Sequence, residues 1–345
     1  MAPHIETETT PDEPQYDRLK PFSADNYRFK INTFEAPWLI IYSIGSFYGG
    51  YLLFTQGKLV TIIFSFFMVN PSMLGITAGI HRLWSHRSFK AKPPLELFLL
   101  FLYILTHQRS PITWVRRHRL HHSHSDTDAD PHNASRGFFF SHFGFLLVLP
   151  HPECEKRLKM IDVSDMWNNP YTKFTHDHYP ILCAIIAYAI PTYIPTLWGE
   201  TLHMAFWANI FRIYMVLNLS CSINSISHLV GYKPIDVTAA GTQCHLIGIA
   251  NLGEGYHNYH HSFPLDYRTS ELGDTKYNQT TLFIDFMAKL GLAYDMKTTS
   301  EDVVRARVLK KGDGTDQYYI PNNEKKQKIF CTTIFKNAVN SHKSC

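Results

Sequence analysis

Three histidine runs have the residue type and spacing to hold metal ions: His81-Arg-Leu-Trp-Ser-His86, His118-Arg-Leu-His121-His122 and His257-Asn-Tyr-His260-His261. In the second and third, the imidazoles stand at i, i+3 and i+4, neighbours along one stripe of a helix. That spacing predicts three nitrogen donors per stripe aimed at a common point. In the first run the separation is five residues, which a regular helix aligns less directly and a bent or terminal turn would have to correct. Eight imidazoles exceed the four ligands of a tetrahedral zinc, so the runs predict a two-metal centre. One such stripe is often only a packed polar face; three of similar spacing argue for ligands.

Asn224 and His228, at i and i+4, join the set because the expected topology brings them to the same membrane face, with Asn224 acting directly or through water. An imidazole-rich set without matching carboxylates suits iron, zinc, copper or nickel. Soluble di-iron bundles instead use Glu with Glu-x-x-His. Redox-inert zinc would do hydrolysis in such a place, whereas iron could activate dioxygen and attack a C–H bond.

The elements that must position these residues are long apolar helices. Of the 345 residues, 14% are aromatic and only 18% charged, against a usual charged share of about a quarter. That composition tilts toward a membrane protein. The net charge of +4 is mild, and no clustered basic face suggests nucleic-acid binding. The six cysteines are scattered without a CxxC pair, which argues for reduced thiols rather than a disulfide scaffold.

Uncharged stretches predict spans at about 36–57, 59–80, 179–199 and 201–226, the last interrupted by Arg212. A charge inside a span marks either a structural pairing or a functional role. Pro191 and Pro195 should bend the third span. The apolar stretch from Pro93 to Thr106 is short, as an interfacial or re-entrant helix would be. Asp126, Asp128 and Asp130 alternate like a calcium loop, but Pro131 replaces the required Gly and Gly137 the bidentate Glu. Lys and Arg concentrate between the second and third spans, so the histidine runs and both termini should face the cytosol. The expected layout is a disordered cytosolic N-terminus at 1–34 and an all-α integral membrane unit at 35–310. Its four spans are capped by cytosolic helical parts at 81–178 and 227–310, which carry the di-metal site. A polar tail at 311–345 ends the chain. The acidic, proline-broken N-terminus lacks a cleavable signal.

Taken together, Gly79-Ile-His-Arg-Leu-Trp-Ser-His-Arg-Ser-Phe, His118-Arg-Leu-His-His122, Asp128-Ala-Asp-Pro-His-Asn133, Arg136-Gly-Phe-Phe-Phe-Ser-His142, Asn224-Ser-Ile-Ser-His228 and Gly253-Glu-Gly-Tyr-His-Asn-Tyr-His-His-Ser-Phe-Pro264 closely resemble the membrane-bound fatty acyl-CoA desaturases, of the stearoyl-CoA and insect-like type. The resemblance covers roughly residues 36–310. It implies two iron ions (Fe2+) held by His81, His86, His118, His121, His122, His228, His257, His260 and His261, with Asn224 linked through water. It further implies dioxygen as co-substrate, and electrons from cytochrome b5 with its NADH-dependent reductase. The substrate would be a long-chain acyl-CoA, and the location the endoplasmic reticulum membrane. The implied product carries a new double bond, at delta-9, delta-11 or another position.

By the same resemblance, Trp114 and Arg116 line the acyl-CoA entrance and Arg136 meets the carrier's phosphates. Departures stand beside it: Arg117 where the family usually has Asp, Arg109 where Asn is common, Leu149-Pro150 where a basic pair often stands, and Cys221 where Trp is common. They leave the acyl carrier and the double-bond position open. The rival readings are a di-iron lipid hydroxylase and a membrane metal transporter. Transport predicts ligands near the bilayer midplane, whereas here they follow the ends of the spans.

Overall fold

A computed structural model of the chain describes residues 29–270 and 277–316. Most of the expected N-terminal segment and polar tail therefore lies outside the described residues. Four helices are long and apolar enough to cross a membrane: α1 (Glu35–Gln56), α2 (Leu59–Ser85), α5 (Tyr179–Trp198) and α6 (Leu202–Leu229). Between α2 and α5 run α3 (Pro93–Ile104) and α4 (Pro111–Ser123); after α6 come α7 (His245–Ala250), α8 (His257–Ser262), α9 (Gln279–Lys289) and α10 (Glu301–Lys311). The described strands are β1 (Lys90–Ala91) and β2 (Ala293–Tyr294), one short antiparallel pair that ties the start of α3 to the segment after α9.

The spans show their apolar side chains outward, among them Trp38, Ile44, Phe47, Ile63 and Phe67, because lipid rather than water is the solvent there. What holds them together is small residues and buried polar contacts, since lipid removes the hydrophobic drive between helices. A β-carbon at Gly49 would overlap the Trp207 carbonyl, so glycine is what lets α1 press against α6. Gly75 does the same for α2 against the Leu102–Tyr103 backbone of α3.

At the end away from the histidines the two hairpin turns are joined. Glu200 accepts from the Lys58 backbone N–H at 3.1 Å and the Thr61 hydroxyl at 2.7 Å. Within α6, buried Arg212 donates to Asn209 Oδ1 at 2.9 Å, Ser72 Oγ at 3.0 Å and the Leu105 carbonyl at 3.1 Å. These partners are neutral, so Arg212 pins α6 to α2 and to the end of α3 rather than making an ion pair. In α5 the helix passes from a π segment over Ala184–Ala189 to a 3-10 segment over Ile194–Trp198. Its prolines at 191 and 195 remove two backbone donors in just this region.

Two features differ from the sequence reading. The second and fourth helices continue past 80 and 226 to Ser85 and Leu229, so His81 and His228 are helical. The polar stretch after Thr298 includes α10, whose Val304 and Val308 pack with Ile235, Tyr259 and Phe263 against the third histidine run. Asn133 and Asn278, each opening an Asn-x-Ser/Thr sequence, are buried, and Asn278 caps α9 by accepting from the Thr281 N–H.

Candidate metal centre and cavity

The first histidine run solves its five-residue spacing with a π-helix. From Gly75 to Ser85 the end of α2 is wound in i→i+5 fashion, and the His86 N–H donates to the His81 carbonyl. A wider turn carries residue i+5 back over residue i, which leaves the two imidazole centroids 4.7 Å apart.

Two groups of ring nitrogens result, one of His81, His86, His118, His122 and His260, the other of His121, His228, His257 and His261. All nine histidines singled out in the sequence fall in these groups. The expectation that each stripe shares one focus is corrected, however. In α4, His118 and His122 turn to the first group and His121 to the second; in α8, His257 and His261 turn to the second and His260 to the first. Positions i and i+4 lie about 40° apart around a helix, while i+3 lies about 60° to the other side. Each helix therefore straddles both groups and locks them together.

Distances within the groups fit ions. Nε2–Nε2 separations are 2.8 Å for His86–His118, 3.0 Å for His81–His260 and His122–His260, 3.0 Å for His228–His257 and 3.1 Å for His257–His261. Nitrogens about 2.0–2.1 Å from a common ion lie about 2.8–3.4 Å from one another at right-angled to tetrahedral geometry. Ring-to-ring hydrogen bonds are a poorer explanation. The Nε2 atoms of His260 and His257 each face two other Nε2 atoms, and a neutral imidazole nitrogen serves as one donor or one acceptor, not both. His121 Nε2, buried, has no hydrogen-bond partner among the described residues.

Carboxylates hold three of the rings from behind. Glu254 lies 3.0 Å from His81 Nδ1, Asp130 2.9 Å from His121 Nδ1 and Asp126 3.2 Å from His228 Nδ1. This fixes which nitrogen faces inward, the usual partner arrangement of a metal-binding imidazole. The sequence reading set Asp126 and Asp130 aside as a failed calcium loop and gave Glu254 no role. For Asp130 and Glu254 the signal was present in their positions inside the quoted motifs, whereas Asp126 lies outside them, and the partners of all three are set only by folding. Arg82 in turn donates to Glu254 at 3.1 and 2.8 Å.

Electrostatics agree with neutral donors. Burial, reinforced by neighbouring imidazoles, holds His86, His118, His122, His257, His260 and His261 well below the usual imidazole range. Burial also lowers His121, but Asp130 outweighs it and leaves that ring above its ordinary value. Burial raises Glu254, yet Arg82 and His81 bring it down to about 2. Asp130 is likewise raised by burial and lowered by His121, ending at about 2.

The histidines form part of the wall of a cavity of about 570 Å³ that runs between the helices, within the usual range for ligand sites. His81, His118, His121, His257 and Asn224 face it at one end, and Ile76, Trp114, Ile213, Leu217 and Cys221 supply much of the apolar lining. Trp114 stacks on His118 with centroids 4.9 Å apart. Arg116 does not line this cavity, whereas its neighbour Arg117 does. Arg136 lies on a small adjoining pocket with His151 and rests over the Phe140 ring.

A fatty acid desaturase family model matches residues 56–280, most of the described helices and all nine histidines. The chain belongs to the fatty acid desaturase family. It is 50% identical over 273 residues to the acyl-CoA Delta(11) desaturase of Trichoplusia ni, covering 79% of this chain and 78% of that protein. It is 45% identical over 291 residues to an acyl-CoA Delta12-desaturase of Acheta domesticus, covering 84% and 82%. An acyl-CoA Delta-9 desaturase of Acheta domesticus is 43% identical over 295 residues, covering 85% and 82%. Similar identity to relatives of three positional types does not choose a position. With four apolar helices of spanning length, this desaturase family member is a multi-pass membrane protein.

Proposed function

We propose that this protein is a di-iron acyl-CoA desaturase of the endoplasmic reticulum membrane, with both termini and the histidine groups on the cytosolic side. His81, His86, His118, His122 and His260 would hold one iron; His121, His228, His257 and His261, with Asn224 through water, the other. The observation that carries the reading is that two ion-sized nests of imidazole nitrogens open onto an apolar cavity between membrane helices. Bound irons would supply dioxygen activation. Reduced cytochrome b5, fed by its NADH-dependent reductase, is the electron donor. Two adjacent methylenes lose two hydrogens, and with dioxygen, two electrons and two protons the balance closes as one double bond and two waters.

The chain's own residues do the positioning. Methylenes along a saturated chain are nearly identical, so only a shaped wall can choose among them. Trp114, held flat on His118, and Ile76 and Thr77 on α2 form that wall next to the histidines. Glu254, Asp130 and Asp126 keep the inward nitrogens aimed, and the closely packed spans exclude water. The residues lining the cavity suit an acyl chain, and the new bond is placed, at delta-9, delta-11 or another position, by where the chain stops.

Expressing the full chain in a yeast lacking its own desaturase, without added oleate, tests the proposal. Growth and a new unsaturated acyl product, located by mass spectrometry of derivatised double bonds, are expected. Good expression without such a product overturns it, and a product that gains oxygen instead of losing hydrogen makes the protein a hydroxylase.

A further inference from the structure

We propose that α7 and α9 lie in the histidine-side leaflet of the bilayer. The segment between them, which carries the third histidine run, would then rest on lipid at both ends through Leu246, Ile249, Leu282, Phe286 and Leu290. The inference needs the four spans and not the chemistry of the centre.

The side chains of α9 are turned inside out. Its polar groups are engaged with the protein: the Thr280 hydroxyl meets that of Thr77 at 2.7 Å, Thr281 donates to the Arg268 carbonyl at 3.1 Å, and Asp285 accepts from the Tyr267 hydroxyl at 2.8 Å. Its outward face is apolar. Leu282, Phe286 and, just past the helix end, Leu290 stand at i, i+4 and i+8, each more than half exposed. On α7, Leu246 and Ile249 are likewise more than half exposed. A helix whose outer face meets water shows the reverse pattern, with charged and polar residues outward. An apolar stripe turned away from the protein fits a helix lying at the boundary of head groups and acyl chains.

Two contacts set the depth of this face. Thr77, which meets Thr280, lies one turn before His81 on α2, and Ser222, which accepts from Asn251 Nδ2 at 3.1 Å just past α7, lies six residues before His228 on α6. Both spans run from the turns at Lys58 and Glu200 toward the histidines, so Asn251 and Thr280 sit on the bilayer side of the centre. For Ser222 the drop is about 9 Å at 1.5 Å per residue. Ile284 of α9 shares a buried cluster with Met73 and Ile76 of α2. Beyond the other end of α9, the Leu292 carbonyl accepts from the Lys92 N–H at 2.8 Å. That contact places α9 beside the start of α3, whose Leu97 and Phe98 also face outward. The stripe thus continues the lipid-facing surface of the spans, and exposed Lys92 and Lys289 stand at its edge, where an ammonium on a long stem reaches head-group phosphates. Depth and continuity favour lipid over a second copy of the chain or another protein as the occupant.

Spin labels on single introduced cysteines, with the full chain in phosphatidylcholine nanodiscs, test this directly. Cys331→Ser and Cys345→Ser remove the two tail thiols, and the other four cysteines are buried. Labels at Phe47→Cys on α1 and Arg305→Cys on α10, both exposed positions, give the lipid and water references. Collisions with dioxygen, which concentrates in lipid, are compared with collisions with a nickel chelate, which stays in water. The oxygen-to-nickel ratio at Ile249→Cys, Leu282→Cys and Phe286→Cys should fall on the Phe47→Cys side of the midpoint between the two references. Leu246→Cys takes the place of Ile249→Cys if that variant does not fold. A ratio on the Arg305→Cys side at either helix overturns the proposal. So does a label that meets neither reagent, the mark of a face covered by a second copy or another protein. An aqueous ratio at Phe47→Cys sinks the span and the proposal together, whereas an aqueous ratio confined to α7 or α9 sinks the proposal alone.

Discussion

Replacing Glu254 with glutamine removes one negative charge from a fully enclosed polar contact beside the histidines. Its carboxylate accepts from Arg82 Nε and Nη2 at 3.1 and 2.8 Å and sits 3.0 Å from His81 Nδ1, with both Glu254 and Arg82 buried. Losing one member of a buried ion pair costs about 3–5 kcal/mol, because the remaining charge stays desolvated. Arg82 keeps four other acceptors: the Tyr267 and Arg268 carbonyls, the Thr281 hydroxyl and Asn278 Oδ1. They stabilise the stranded guanidinium, so the loss should fall at the lower end, about 3 kcal/mol. The second effect is on His81, whose ring loses the acceptor that orients it; such partners are worth about 10–100-fold in metal affinity. Glu254→Gln should therefore unfold at lower temperature in a fluorescence-detected melt and release iron at a lower chelator concentration than wild type. Unchanged melting together with unchanged iron retention would refute the argument that this carboxylate both neutralises Arg82 and aims His81.

Because each helix serves both histidine groups, His260→Ala and His257→Ala should each lower the iron content of purified protein by about half or more and abolish product, although they belong to different groups. Full iron content in either variant, by plasma mass spectrometry, would contradict the assignment. Gly49→Leu drives a side chain into the Trp207 carbonyl and should destabilise the α1–α6 contact by at least about 1–3 kcal/mol, read as loss of the monodisperse peak in detergent. Asp236 is raised by burial but held down to about 2 by Thr238, Arg307 and Lys311. Its folded value lies below the unfolded one, so its contribution is complete above the ordinary carboxylate range and fades as pH falls through it toward 2. Asp236→Asn should thus melt lower than wild type near neutrality, and the gap should close on acidification; a gap that widens in acid would reverse the assigned sign.

Much of this protein was legible in linear order. The uncharged runs marked the four long helices because a bilayer demands about twenty apolar residues in succession, and that demand is local. The histidine runs were visible for the same reason, their spacing being fixed by helical geometry. Orientation of the imidazoles was not. The π winding that joins His81 to His86 depends on the packing of Gly75 against α3, and the sharing of each stripe between two groups depends on where the other helices lie.

The amino-acid order alone determined that the second and third histidine runs carry helical spacing, that the nine histidines lie in or next to segments adjoining apolar spans, and that the family is that of the fatty acid desaturases. Only the tertiary structure decided which ring joins which group, that Asp126, Asp130 and Glu254 stand behind the rings, and that Arg117 rather than Arg116 faces the cavity. Helix formation and membrane burial are written in neighbouring residues, whereas a contact such as Glu254 with His81 joins positions 173 apart along the chain. No local pattern encodes that meeting, and it exists only once the spans have packed.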